Sequence, residues 1–134
     1  MTDPKALDVL VIDDDPVSML VAQHVLSTHG HSVATASSAA EARTVIIESP
    51  DKFDVLVCDY LMPDATGLDL LTQLDELKIW IPMLLLTGVS NEAELGDERS
   101  AKVAGFLTKP VQSNDLLSAV AALATVDRGS VSPR

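Results

Sequence analysis

Five short apolar runs punctuate the chain, and polar residues stop each of them. Residues 7–12 are almost continuously apolar, apart from Asp8, and end abruptly in Asp13-Asp14-Asp15-Pro16. Residues 31–36 make a weaker run. Residues 53–58 end in Asp59, residues 82–86 in Thr87-Gly88, and residues 105–108 in Lys109-Pro110. Short runs without strict alternation predict strands covered on both faces, as in a parallel sheet.

Between the runs the apolar spacing becomes helical. Val17, Leu20, Val21, His24 and Val25 fall on one helical face, with Pro16 in the first turn and Gly30 as the stop. Ser37 and Ser38 are caps for a helix carrying Ala42, Val45 and Ile46, with Glu41 in its first turn and Pro50 beyond its end. Leu68, Leu71 and Leu74 make a third stripe after the loop at 62–67. Residues 91–103 predict a charged, loosely patterned helix. Leu116, Leu117, Val120, Ala121 and Ala124 make the last one, capped by Ser113. Five strands alternating with five helices predict an α/β fold, a parallel sheet wound on both faces. One domain is expected over residues 5–126, with 127–134 a polar tail or the start of a linker.

Composition narrows this picture. The chain has 134 residues, 47% hydrophobic but only 3% aromatic, so the expected core is aliphatic. A net charge of -11 argues against direct binding to nucleic acid or to an anionic membrane. A single cysteine, Cys58, excludes an intramolecular disulfide. The first residues lack a signal-peptide pattern, and the apolar stretch at 79–86 is broken by Pro82 and too short to span a bilayer. The expected location is the cytoplasm.

The chemistry lies in the residues that stop the runs. Asp13 and Asp14 follow the first strand, Asp59 ends the third, Thr87 ends the fourth and Lys109 follows the fifth. In a parallel α/β sheet these C-terminal strand ends share one edge, where such folds bind ligands. Three gathered carboxylates repel one another unless a hard divalent cation sits among them. Mg²⁺ suits a site of few carboxylates, waters and phosphate oxygens, and an aspartate can accept a phosphoryl group. A lysine and a hydroxyl would then meet the phosphoryl oxygens.

Four segments carry a resemblance: residues 11–16 (VIDDDP), residues 57–63 (VCDYLMP) with Gly67, residues 85–88 (LLTG) and residues 106–110 (FLTKP). Together they resemble the response-regulator receiver domain of two-component signalling, the CheY-like superfamily, which is bacterial in its best-known members. The resemblance implies a flavodoxin-like sheet of order 2-1-3-4-5. It implies Asp59 as phosphoacceptor, with Thr87 and Lys109 beside it. It implies Mg²⁺ or Mn²⁺ held by Asp13, Asp14, Asp59 and the backbone carbonyl of Leu61. It implies Thr87 and Phe106 as the switch pair, and a cis peptide at Lys109-Pro110. The implied donor is a histidine kinase or histidine phosphotransfer protein. The implied role is a signalling switch acting on a downstream target, rather than a turnover enzyme.

The match has departures. Thr66 replaces a common aspartate at a position read as structural, Val111 replaces a frequent aromatic, and Phe106 lacks the hydroxyl of the usual tyrosine. Leu61 and Val89 are apolar where polar side chains are frequent, so a long-lived phosphoaspartate is expected. Asp15 reads as a helix cap, Asp64 as a solvated loop residue, Cys58 as a buried inert thiol, His24 as a packed helix residue, and His29 and His31 as a helix end. Tyr60 reads as a partly packed loop residue, and Trp80 lies at the edge opposite the site. A flavodoxin would need a hydroxyl- and glycine-rich phosphate loop where Asp13-Asp14-Asp15 stands. A haloacid-dehalogenase-type phosphatase would need a second aspartate where Leu61 stands.

Overall fold

Apolar side chains on both faces of the three central strands dictate the architecture. A computed structural model of the chain describes residues 6–88 and 103–124. The expected helix at 91–103, except Val103, lies outside the described residues, as do Val89 and the tail at 127–134. Five parallel strands form one sheet: β1 (Asp8–Ile12), β2 (Ser32–Ala36), β3 (Val55–Asp59), β4 (Met83–Thr87) and β5 (Gly105–Thr108). Their order is β2-β1-β3-β4-β5, the flavodoxin-like order expected. Four helices are described: α1 (Pro16–Thr28), α2 (Ala39–Glu48), α3 (Gly67–Glu76) and α4 (Ser113–Leu123).

Strand alternation divides the interior into two cores. Leu10, Ile12, Leu56, Cys58, Met83 and Leu85 face Ala42 and Ile46 of α2 and Leu68, Leu70 and Leu74 of α3. Val9, Val11, Val55, Val57, Leu84 and Leu86 face Ala22 and Leu26 of α1 and Leu116, Val120 and Leu123 of α4. Both cores are aliphatic apart from Phe53, Met62, Met83 and Cys58.

The helices begin and end as their chemistry requires. Asp15 caps α1, accepting from Val17 N and Ser18 Oγ. Gly30, at φ 93°, takes the left-handed turn after α1, where His31 N donates to Leu26 O and Gly30 N to Ser27 O. Ser38 caps α2, while Glu41 reaches back to Ser37 N and Oγ. Thr66 caps α3 in a reciprocal pair with Asp69, a structural role like the one expected.

Several expectations about faces and caps do not hold. Val17, Leu20 and Val21 are 69%, 64% and 56% exposed, and His24 is exposed as well. The helix is apolar on several sides, and the small Ala22 with Leu26, not the bulky stripe, is what it buries on the sheet. In α3 Leu70 is buried and Leu71 only partly so. In α4 Leu123 takes the place expected for Ala121, which is exposed. Gln112 rather than Ser113 occupies the cap position of α4, without a side-chain cap bond.

Candidate functional site

Because every strand runs the same way, the residues that stop them gather at one edge. Asp13 follows β1, and its amide donates to Ala36 O at the end of β2. Asp59 ends β3, which lies between β1 and β4. Thr87 ends β4, and its carbonyl accepts from Lys109 N just past β5. Residues from four strand ends thus converge, as topology predicts for a parallel sheet.

Asp13, Asp14 and Asp59 each present a carboxylate oxygen, all within 4.8 Å of one another. Lys109 Nζ lies 2.8 Å from Asp59 Oδ1 and 3.6 Å from Asp13 Oδ2. Asp13 is buried and also accepts from Asp15 N, which orients its carboxylate. Asp14 is exposed. Burial pushes the Asp59 carboxyl above its ordinary value. Lys109 opposes that shift, and the neighbouring Asp13 and Asp14 reinforce it. Burial alone would lower the Lys109 ammonium, but its pairing with Asp59 and Asp13 outweighs burial and raises it.

One ammonium balances only one of three clustered carboxylates. The donor set is all hard oxygen, so it fits a small divalent cation such as Mg²⁺. Leu61 follows Asp59 by two residues, in a narrow hairpin closed by Gly67 N to Tyr60 O and Met62 N to Ala65 O. Neither closing bond uses the Leu61 carbonyl, while its side chain is 54% exposed. Thr87 is buried at the same edge, and Phe106 on β5 is 38% exposed. The Lys109-Pro110 peptide is cis, as the resemblance implied.

A family model described as the response regulator receiver domain matches residues 9–121. The chain belongs to that family. Among curated relatives, this receiver domain is 31% identical over 114 residues to the two-component response regulator ARR11 of Arabidopsis thaliana, covering 84% of this chain and 22% of the relative. It is 29% identical over 116 residues to the transcriptional regulatory protein GlrR of Escherichia coli K12, covering 87% of this chain and 26% of that protein. The chain therefore spans about a quarter or less of the length of these relatives. A crystal structure of a receiver domain protein from Clostridium thermocellum superimposes with a TM-score of 0.81 at 27% identity, covering 88% of this chain and 94% of that one.

The remaining candidates fall into place around the receiver site. Cys58 is buried on the α2/α3 side, its Sγ donating to Asp59 O, and burial pushes its thiol far up, so it is inert. Tyr60 packs partly against the same core. Trp80 lies before β4, away from the strand's C-terminal edge, with Nε1 donating to Asp75 Oδ1. His31 is more than a helix end, because its Nδ1 accepts from Leu7 N.

Asp64 is an exposed loop residue, as expected, but its carboxylate is also engaged. Its Oδ1 and Oδ2 accept from Ala39 N and Ala40 N at the start of α2. Those amides are orphan donors of the helix, and a carboxylate there is also favoured by the helix dipole. No local signal marks this contact, because its partners are 24 and 25 residues away. Gly67 also has a packing reason: a Cβ there would lie 2.5 Å from Leu85 Cδ1 and 3.1 Å from Asp59 O.

Proposed function

We propose that this receiver domain takes a phosphoryl group onto Asp59 and uses it to switch a partner surface. The observation that carries the reading is the meeting of Asp13, Asp14 and Asp59 within 4.8 Å, with Lys109 on Asp59. An Asp59 carboxylate oxygen attacks phosphorus while the bond from phosphorus to the donor histidine nitrogen breaks. The imidazole keeps that electron pair and later takes a proton from solvent. Lys109 stays beside the transferred group and compensates its negative oxygens. Asp13, Asp14, Asp59 and the Leu61 carbonyl would hold Mg²⁺ or Mn²⁺, which would supply further positive charge there. Thr87 donates its hydroxyl to the bound phosphoryl, and Phe106 turns inward as Thr87 moves.

The donor in this reading is a histidine kinase or histidine phosphotransfer protein, in keeping with the two-component relatives. An apolar groove of about 480 Å³ supports it, running between α1 and α4 and including Val17, Val21 and Val111. Asp13 and Lys109 also line that groove, so a donor helix lying along it reaches the phosphoacceptor edge. The reading places the domain at residues 5–126, in the cytoplasm, as a switch rather than a turnover enzyme. Its net charge of -11 favours a protein target over nucleic acid. Among the described residues no helix is long and apolar enough to cross a membrane.

The test is to incubate the protein with Mg²⁺ and acetyl phosphate or phosphoramidate and weigh it. A single adduct of about 80 Da, absent in Asp59→Ala, is expected for one phosphoryl group. An unchanged mass at saturating donor would reduce the domain to a docking module.

A further inference from the structure

The loop that carries Leu61 leaves β3 at the phosphoacceptor and returns to α3 within a few residues. Its hairpin closure joins Tyr60 to Gly67 and Met62 to Ala65. Met62 is buried in the α2/α3 core, and Thr66 is locked into the first turn of α3. These contacts fix the base of the loop. Its tip, at Pro63 and Asp64, is exposed and touches no core. The tip is tied down by one side chain, whose two carboxylate oxygens take the first two amides of α2 at 3.1 Å and 2.9 Å. The third amide, Glu41 N, goes to Ser38 Oγ, so two side chains share the opening turn of α2.

We propose that Asp64 is a positioning residue for the metal pocket, holding the loop tip on α2 and so restricting where the Leu61 carbonyl can lie relative to Asp59. The inference rests on the metal reading given above. Asp64 does not touch the pocket itself; it acts through the backbone of residues 61–64. A carboxylate suits this role better than an amide, because both oxygens accept while a side-chain amide offers one acceptor. A shift of the loop on metal binding would pull on the first turn of α2, the turn that also orders Ser37 through Glu41.

The distinction to be drawn is between capping α2 and placing the loop. Ser38→Ala removes a cap from the same helix without touching the loop, so it is the control. Mg²⁺ affinity of the full chain is measured by calorimetry for the wild type, Asp64→Ala, Asp64→Asn and Ser38→Ala, with thermal midpoints recorded for each. The expected result is a rise in the Mg²⁺ dissociation constant of about tenfold in Asp64→Ala, the low end of the cost of losing an outer supporting contact. Asp64→Asn should recover part of that loss, and Ser38→Ala should leave the constant unchanged while lowering the midpoint. An unchanged constant in Asp64→Ala, or an equal rise in Ser38→Ala, overturns the positioning role alone. A wild type that binds no Mg²⁺ overturns the metal reading on which it rests.

Discussion

Lys109 Nζ sits 2.8 Å from Asp59 Oδ1, a pair that joins the exit of β5 to the end of β3 across the end of β4. The ammonium does two opposed things there. It offsets part of the charge that would attract a cation, and in the proposed reading it would meet the oxygens of a transferred phosphoryl group. Lys109→Gln should therefore bind Mg²⁺ more tightly and yet be phosphorylated more slowly. Loss of one such donor costs about 100-fold to 1,000-fold in related electrostatic sites. Calorimetry and the rate of mass gain from acetyl phosphate check the two halves. Equal phosphorylation rates in variant and wild type would remove Lys109 from the chemistry.

Gly67 sets how closely α3 approaches the end of β3. A methyl group at that position would press on Leu85 Cδ1, on the carbonyl of Asp59 and on Cys58 Sγ. Leu85 is fully buried, so it has little room to turn away. Gly67→Ala should cost about 1–3 kcal/mol, the usual range for overpacking a filled interior. A urea titration measures it. Because one of the crowded atoms belongs to Asp59, phosphorylation should slow as well. A stable variant with normal phosphorylation would mean that Leu85 repacks at no cost.

The convergence of Asp13, Asp59, Thr87 and Lys109 was legible because one rule governs it: in a parallel sheet all strand ends point the same way. Nothing beyond the apolar runs and the residues that stop them was needed. The inward face of α1 was not legible, because the helix is apolar on several sides. Spacing favours the bulky Val17, Leu20 and Val21, whereas the sheet takes Ala22 and Leu26. The role of Asp64 was hidden for a different reason. Its partners at Ala39 and Ala40 are brought near only by the tertiary fold, so no window of sequence contains the contact.

His31 adds a pH dependence at the other end of the sheet. Leu7 N donates to His31 Nδ1 at 3.1 Å, which requires a neutral ring with its proton on Nε2. Burial, reinforced by the nearby His29, lowers the His31 pKa from its ordinary value of 6.5. The unfolded chain then binds the proton more readily than the folded one, so stability rises with pH across that window. The contribution is fully present above the unfolded value and is lost as pH falls through the lower folded value. Urea midpoints of the wild type should fall on acidification from about pH 7 towards the carboxylate range. His31→Ala should lose that part of the slope while being less stable at neutral pH. Parallel curves for the two proteins would mean that the ring titrates as it does in the unfolded chain.

Leu61 bears on how long a phosphoryl group would stay on Asp59. Leu61 is 54% exposed two residues after Asp59, and its aliphatic side chain can offer no hydrogen bond to water. Hydrolysis of an acyl phosphate needs a water aimed at phosphorus, and a polar side chain at the rim can hold one in place. An aliphatic one leaves that water disordered and also narrows its approach. The phosphorylated protein should therefore decay slowly. Leu61→Asn, which supplies both a donor and an acceptor at the same position, should shorten its lifetime severalfold. The decay is followed by mass after the small phosphodonor is removed by desalting. Because the substitution lies on the exposed side of the hairpin, the thermal midpoint should hardly move, which separates an effect on water from an effect on the fold. A short lifetime in the wild type, unchanged in Leu61→Asn, would place control of hydrolysis elsewhere in the pocket.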